Sequence, residues 1–173
     1  MGDYLKKSLV LTGMMGVGKS TVGKLLATKL KFKFLDIDKL IEKDEKSSIK
    51  KIFDVKGEEY FRKIEKKLTL RNLKRNRQVI SLGGGSFIDP VIRAEVLKKT
   101  VSFWLDLNIK YLSQRKFRKK DRPLLVNDID GKKLFKIYLS RKKIYNLADF
   151  RIKCDYLKHN QVAKKIINIY EKI

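Results

Sequence analysis

Short apolar runs alternate along this chain with longer segments in which apolar residues recur every three or four positions. The runs predict five β-strands, within "SLVLTG" (8–13), "FKFLD" (32–36), "QVISLG" (78–83), "TVSFWLDL" (100–107) and "DFRIKC" (149–154). The longer segments predict helices at about 19–30, 57–75, 90–98, 108–118, 131–146 and 158–172. This alternation is typical of an α/β fold, in which helical crossovers join parallel strands and ligands bind beyond the carboxyl ends of the strands.

The length of 173 residues predicts a single domain over residues 1–173. No apolar run is long enough for a transmembrane span, and the run after the first lysines is too short for a signal peptide, so we expect a cytoplasmic protein that does not bind membranes. The single Cys154 cannot form an internal disulfide, and the single His159 cannot build a metal site.

The formal net charge of +24 suggests two classes of protein. Clustered basic residues would indicate a nucleic-acid-binding protein, because Lys and Arg neutralise phosphates. Here 33 of the 43 basic residues are lysines, and they are scattered along the whole chain. The scatter favours solvated basic faces without a specific nucleic-acid site.

The stretch "LTGMMGVGKST" (11–21) fits G-x-x-x-x-G-K-[ST], and it lies between a predicted strand and a predicted helix. Its glycines allow backbone N–H groups to surround a phosphate, Lys19 is expected to contact the β- and γ-phosphates, and Ser20 is expected to coordinate Mg²⁺. The sequence therefore predicts a nucleoside triphosphate site. The residues expected to bind this ligand are Gly13, Met14, Gly16, Val17, Gly18, Lys19, Ser20 and Thr21.

Two carboxylates, Asp36 and Asp38, come at the end of the second predicted strand. Strand alternation directs residues two apart to the same side, so both are expected to face the phosphate loop. One would hold Mg²⁺ through water, and the other would accept a hydrogen bond from an acceptor hydroxyl or deprotonate it. The alternative is that Asp38 only caps the following helix.

Two arginines are candidates for binding an anionic acceptor. In "GEEYFRKIEKK" (57–67), Arg62 and Glu65 are three residues apart on one helix face, and the neighbouring Phe61 indicates that this face is partly buried. A buried arginine needs an anion, and Arg141 in "YLSRKKIY" (138–145) would complete a clamp on a carboxylate. The alternative is that both arginines lie on solvated helix surfaces.

Two other stretches are candidates for the site, one at the end of a predicted strand and one that fits neither a strand nor a core helix. The triple glycine of "SLGGGSF" (81–87) indicates close approach of the backbone to a small polar ligand, with a loose loop as the alternative. The basic stretch "FRKKDRPLLV" (117–126) fits a lid that closes over the nucleotide and brings Arg122 to the transferred phosphate, with a basic surface loop as the alternative.

Taken in order, "GMMGVGKST", "LDID", "GEEYFR", "SLGGG", "RPLL" and "SRKKIY" resemble the shikimate kinase family over about residues 8–170. The resemblance implies a three-layer α/β/α sandwich whose five parallel strands lie in the order 2-3-1-4-5. It also implies a substrate-binding segment at about 37–65 and a lid at about 116–128. The implied reaction is transfer of the γ-phosphoryl group of MgATP to the 3-hydroxyl of shikimate, in the chorismate and aromatic amino-acid pathway.

The resemblance implies roles for individual residues. The implied catalytic residues are Lys19, Asp38 and Arg122, and Asp36 joins Ser20 at Mg²⁺ with Ser81 near the metal's water shell. The implied shikimate-binding residues are Asp38, Arg62, Gly83, Gly84, Gly85 and Arg141, with Glu65 orienting Arg62. Arg115 is expected over the adenine, but the segment near "KCDYLKHNQ" lacks the proline often found in the family's adenine loop.

Two other functions stay open at this point. One is a different small-molecule kinase of the same fold, such as a gluconate or nucleotide kinase. The other is a basic nucleic-acid-binding NTPase. A GTPase is disfavoured because the sequence contains no Asn-Lys-x-Asp. The small size and the apparently complete site predict a monomer that binds ATP and a small-molecule acceptor.

Overall fold

The structure, a computed structural model, describes residues 7–114 and 131–173. The described strands are β1 Leu9–Thr12, β2 Lys33–Asp36, β3 Gln78–Ser81, β4 Val101–Asp106 and β5 Phe150–Lys153. The described α-helices are α1 Lys19–Leu30, α2 Ile37–Asp44, α3 Ile49–Asn72, α4 Pro90–Lys99, α5 Ile109–Gln114, α6 Lys132–Tyr145 and α7 His159–Tyr170. A short 3₁₀ turn, Ser86–Ile88, follows β3.

The five strands form one parallel sheet in the order β2-β3-β1-β4-β5, which confirms the predicted strand order. In β1, Leu9 lies opposite Val79 of β3 and Val101 of β4. Because all pairs are parallel, the carboxyl ends of the strands lie at one edge of the sheet. The phosphate loop, the carboxylates after β2 and the glycines after β3 therefore share that edge.

Helices cover both faces of the sheet, so the three-layer prediction is also confirmed. Helix α1 packs against α7, whereas α4 packs against α3, β4 and the 3₁₀ turn. Every residue of β1, β3 and β4 is buried. Strands buried on both faces have near-continuous apolar sequences, which is the pattern that identified them in the chain.

The region after β2 differs from the sequence prediction. We predicted a helix from about residue 57, but α3 begins at Ile49, and α2 precedes it. Gly57 has φ 80° and ψ 169°, so α3 consists of two helices joined at a kink. The prediction therefore found only the second helix, because the first is short and ends at the glycine.

Within residues 7–114 and 131–173, no helix is both long enough and apolar enough to cross a bilayer.

Candidate active site

The phosphate loop connects β1 to α1 and depends on glycines with unusual backbone angles. Gly13 has φ +131°, and a Cβ there would lie 2.6 Å from the carbonyl oxygen of Leu105. Gly18 is the N-cap of α1, has φ 103° and makes no side-chain cap. The positive end of the α1 dipole therefore faces the loop without a side chain over it, as anion binding at a helix N-terminus requires.

Lys19 lies inside this loop and is only 8% exposed. Its ammonium donates hydrogen bonds to the carbonyl oxygens of Gly13 and Met14, each at 2.9 Å. These bonds hold the ammonium at the centre of the phosphate loop. A phosphate there would meet the ammonium and the helix dipole together.

Asp36 connects the phosphate loop to β2. The hydroxyl of Ser20 donates a hydrogen bond to Asp36 Oδ2 at 2.5 Å, and Asp36 Oδ1 accepts the backbone N–H of Lys39 at 3.2 Å. Asp36 is thus the N-cap of α2. A serine hydroxyl and a carboxylate side by side form a set of hard oxygen donors that suits Mg²⁺.

The structure corrects one argument about Asp38. Strand β2 ends at Asp36, so Asp38 lies in the first turn of α2 and not on the strand. The strand-alternation argument is therefore wrong for Asp38, and the helix-cap alternative applies to Asp36 instead. Both carboxylates nevertheless line the same cavity.

This first cavity has a volume of about 280 Å³ and lies at the carboxyl edge of the sheet. It brings together predicted residues from three segments of the chain, namely Lys19, Ser20, Thr21, Asp36, Asp38 and Gly84. Gly16, Gly18 and Ser81 line it too. Met14 and Val17 are buried, so their side chains pack in the core.

A second cavity of about 310 Å³ contains Arg62 and Arg141. Arg62 Nη1 donates to Glu65 Oε2 at 2.7 Å, and its Nε and Nη2 donate to Glu58 Oε1 at 3.2 and 3.0 Å. Glu65 is only 2% exposed, and its Oε1 accepts the Ser86 hydroxyl at 2.5 Å. The predicted pairing of Arg62 with Glu65 is therefore present. Glu65 and Glu58 together fix the guanidinium from two sides.

Burial and charge act in opposite directions on Arg62. Burial alone lowers the pKa of its guanidinium, but the carboxylates of Glu65 and Glu58 outweigh burial and hold the pKa above its ordinary value. Arg62 thus stays a cation, and its environment is suited to holding a half-buried positive charge.

The triple glycine packs closely against the side chains of Arg62, Glu65 and Asp38. A Cβ at Gly85 would lie 2.6 Å from Arg62 Nη1, and a Cβ at Gly83 would lie 2.5 Å from Glu65 Oε1 and 2.7 Å from Asp38 Oδ1. Arg141 Nη1 donates to the carbonyl oxygen of Gly84 at 3.0 Å. The alternative of a loose loop is therefore wrong, because each glycine lies against a predicted site residue.

Gly84 and Gly85 also separate the two cavities. Gly84 lines the first cavity, which holds the phosphate loop, and Gly85 lines the second, which holds the two arginines. A Cβ at Gly84 would lie 3.3 Å from the backbone nitrogen of Met15 in the phosphate loop. A phosphoryl donor in one cavity would thus be adjacent to an anionic acceptor in the other.

Comparison with known proteins identifies this arrangement. A sequence model of the shikimate kinase family matches residues 15–171. The chain belongs to the shikimate kinase family. Membership of this family makes the protein an ATP-dependent kinase that phosphorylates a hydroxyl group of shikimate, a step of aromatic amino-acid biosynthesis.

Individual shikimate kinases match over nearly their whole length. A shikimate kinase from a Sulfurihydrogenibium species is 41% identical over 162 residues, which are 93% of this chain and 96% of the relative. One from Caldanaerobacter subterraneus is 37% identical over 167 residues, which are 96% of this chain and 98% of the relative. A shikimate kinase from Acinetobacter baumannii, solved in complex with shikimate, has a TM-score of 0.90 at 29% identity and covers 96% of this chain and 94% of its own.

Several predicted features of the shikimate kinase site lie outside the described residues. They are Arg115, Arg122 and the whole segment predicted as a lid at about 116–128. Their roles stay predictions from the sequence.

Several residues at the site were not assigned a role from the sequence, among them Glu58, which accepts two hydrogen bonds from Arg62. Ser86 holds Glu65, His159 lines the first cavity, and Tyr145 contacts the glycine turn. For Tyr145 a signal was present, since it follows Arg141 by four residues on one helix and must lie on the same side. For His159 the signal was its place after β5, at the carboxyl edge where ligands of such sheets bind. The partner of Ser86 is distant in sequence, and no local pattern predicts it.

Proposed function

We propose that this site transfers the γ-phosphoryl group of MgATP to the 3-hydroxyl of shikimate, giving shikimate 3-phosphate and ADP. The observation that carries this proposal is the shared wall of the two cavities. Gly84 borders the cavity of the phosphate loop, and Gly85 borders the cavity of Arg62 and Arg141. Two substrates bound in adjoining cavities react as if in one molecule, which lowers the entropic part of the barrier.

The nucleotide half of the site is assigned to the phosphate loop. We assign the triphosphate to the backbone of residues 13–21 and to the ammonium of Lys19, which lies inside the loop. Ser20 and Asp36 would hold Mg²⁺, because the hydroxyl and the carboxylate lie side by side and supply the oxygen ligands that Mg²⁺ prefers. Bound there, Mg²⁺ would neutralise charge on the phosphate oxygens.

The acceptor half of the site is assigned to the second cavity and the glycine turn. A carboxylate suits the two guanidiniums of Arg62 and Arg141, because an arginine fork binds a carboxylate with two parallel hydrogen bonds. Gly83, Gly84 and Gly85 would contact the ring of the acceptor, since a side chain at any of them would meet a site residue. This pocket favours a small organic acid over an uncharged polyol.

Asp38 is assigned to the acceptor hydroxyl. Its carboxylate lines the first cavity, and a Cβ at Gly83 would lie 2.7 Å from Asp38 Oδ1, so it borders both halves of the site. By accepting a hydrogen bond from the 3-hydroxyl, the carboxylate would direct the hydroxyl oxygen at the phosphorus. It would then take the hydroxyl proton as the new P–O bond forms. The transition state is loose and anionic, and Lys19 stabilises it by charge.

The test is an acceptor screen with coupled detection of ADP. Shikimate, gluconate and nucleoside monophosphates are offered to the same enzyme preparation with MgATP. We expect ADP with shikimate and only background with the others. ADP with gluconate or a nucleotide, and none with shikimate, would overturn the assignment of the acceptor.

The alternative of a nucleic-acid-stimulated NTPase has its own test. It predicts ATP turnover that rises with added RNA or DNA and binding that persists at high salt. We expect neither, because the lysines are scattered along the chain. The monomeric state and the cytoplasmic location stay predictions from the sequence.

A further inference from the structure

Tyr145 is a buried residue of the acceptor site with no role so far. It ends helix α6, four residues after Arg141, and it is fully buried. Its hydroxyl donates a hydrogen bond to the carbonyl oxygen of Gly84. Arg141 Nη1 donates to the same oxygen at 3.0 Å. Both lone pairs of one carbonyl are therefore used by two side chains of one helix.

Tyr145 also contacts the nucleotide half of the site. Its hydroxyl lies 3.8 Å from the sulfur of Met14 in the phosphate loop, and its ring packs against Trp104 of β4 at a centroid distance of 6.1 Å. Tyr145 lies on the helix of Arg141 and contacts both the phosphate loop and the glycine turn, so it connects three segments that must keep fixed relative positions.

The Gly84 carbonyl is half-buried at the border of the first cavity, and it has Tyr145 as a second donor beside Arg141. Leaving such an acceptor without a hydrogen bond costs free energy, and the N–H groups of Arg141 are the donors that a substrate carboxylate would draw toward itself. The Tyr145 hydroxyl can hold the carbonyl whichever way Arg141 turns. Burial raises the pKa of Tyr145 to about 12, so the hydroxyl keeps its proton at neutral pH and stays a donor.

We propose that Tyr145 is a positioning residue for phosphoryl transfer, which holds the Gly84 carbonyl and thereby fixes the glycine turn and Arg141 against the phosphate loop. The proposal rests on the function proposed above, because it assigns Arg141 to the carboxylate of shikimate. Tyr145 itself lines neither of the two cavities. Its effect is transmitted through Gly84 and Arg141.

The test compares Tyr145→Phe with a matched control, Tyr170→Phe. Tyr170 is equally buried, its hydroxyl donates to the carbonyl oxygen of Lys7 at 2.7 Å, and burial raises its pKa to about 12 as well. Both variants lose one half-buried hydrogen bond from a tyrosine hydroxyl to a backbone carbonyl. We expect only Tyr145→Phe to raise the KM for shikimate by about tenfold, the factor for roughly one lost hydrogen bond, with the KM for ATP changed less than about twofold.

A double-mutant cycle with Arg141→Met separates positioning from general destabilisation. We expect Tyr145→Phe to raise the KM for shikimate much less in the Arg141→Met background, because the shared carbonyl couples the two side chains. Equal effects of Tyr145→Phe and Tyr170→Phe, or fully additive effects in the cycle, would overturn the proposal. If Tyr145→Phe does not fold, 4-fluorophenylalanine at position 145 takes its place, because fluorine fills the space of the hydroxyl without donating.

The wild-type enzyme distinguishes this inference from the proposed function. A wild type that does not phosphorylate shikimate would defeat the function and, with it, the inference. A wild type that phosphorylates shikimate, together with a Tyr145→Phe variant that behaves like Tyr170→Phe, would defeat the inference alone.

Discussion

Arg62 and Arg141 contact neighbouring residues of the same glycine turn. Arg141 Nη1 donates to the carbonyl oxygen of Gly84, and the Arg62 guanidinium packs so closely on Gly85 that a Cβ there would lie 2.6 Å from Nη1. The two side chains come from helices far apart in sequence, α3 and α6. The turn therefore sets the relative positions of two cations that line one cavity.

The first prediction concerns Gly85→Ala. The added Cβ would displace the guanidinium of Arg62, since all three of its nearest atoms belong to that group. We expect the KM for shikimate to rise by about tenfold or more, because a misplaced fork loses one or two charge-assisted hydrogen bonds. The KM for ATP is expected to change less than about twofold, and steady-state kinetics measures both values.

Gly84→Ala is the matched control for Gly85→Ala. Its Cβ would press on the backbone of Met15 in the phosphate loop, at 3.3 Å, and not on Arg62. Gly84→Ala is thus expected to raise the KM for ATP more than Gly85→Ala does. An unchanged KM for shikimate in Gly85→Ala would contradict the role given to Arg62.

The second prediction concerns Asp38→Asn. The amide keeps the shape of the side chain but cannot take the proton of an acceptor hydroxyl, so we expect kcat to fall by about 10²–10⁴. ATP should still bind, which a fluorescent nucleotide titration measures. Asp44→Asn, at the exposed end of the same helix, is the control and should leave kcat unchanged. A near-normal kcat in Asp38→Asn would leave this carboxylate with no part in the chemistry.

The third prediction concerns Arg62→Lys. Alanine would leave the buried carboxylate of Glu65 without its cation and destabilise the fold, whereas lysine keeps a charge beside Glu65. A lysine lacks the planar fork, so the KM for shikimate is expected to rise by roughly 10- to 100-fold. Arg71→Lys, an exposed arginine on the same helix, should behave like the wild type. Equal increases in the KM for shikimate and for ATP would argue against a carboxylate clamp.

The fourth prediction concerns Asp89, which caps helix α4. It accepts the backbone N–H groups of Val91 and Ile92 at 2.8 and 3.0 Å, and Lys66 lies at 3.0 Å. Burial raises the pKa of Asp89, but these three donors outweigh burial and the net shift is downward. A carboxylate with a lowered folded pKa stabilises the fold above its unfolded pKa, and this contribution is lost as pH falls through the folded value.

Denaturant unfolding at two pH values tests the role of Asp89. We expect Asp89→Ala to lower the free energy of unfolding by about 1 kcal/mol at pH 7, and by much less below about pH 3. Asp89→Asn keeps a good cap without the charge, so it should lose less stability at pH 7 and show less dependence on acid. A pH-independent effect of Asp89→Ala would mean that the charge contributes nothing.

The sequence predicted the central elements of the fold well, because buried parallel strands carry a strong local pattern. Helix α1 has the predicted bounds, and β4 lies within one residue of the prediction at each end. The region after β2 was harder to predict. Helix α2 starts directly after a strand with no intervening loop, so "FLDID" looks like one strand although only its first three residues, ending at Asp36, belong to β2.

The candidate site was predicted where local chemistry is informative. Lys19 in its glycine-rich loop and the Arg62–Glu65 pair have spacing that identifies them. The spacing of Tyr145 from Arg141 indicated its side of the helix, but not its partner Gly84, which is 61 residues away. Ser86 was missed because its partner Glu65 is 21 residues away, and only the folded chain brings these groups together. Contacts of this kind depend on tertiary packing and leave little trace in local sequence.

Calorimetric titration with shikimate and with its uncharged carboxamide tests the carboxylate clamp most directly. The wild type and the double variant Arg62→Lys/Arg141→Met are compared with each ligand. We expect the wild type to bind shikimate at least about thirtyfold more tightly than the carboxamide, and the double variant to prefer it by less than about threefold. Equal binding of the acid and the carboxamide to the wild type would contradict the assignment of the two arginines to the carboxylate.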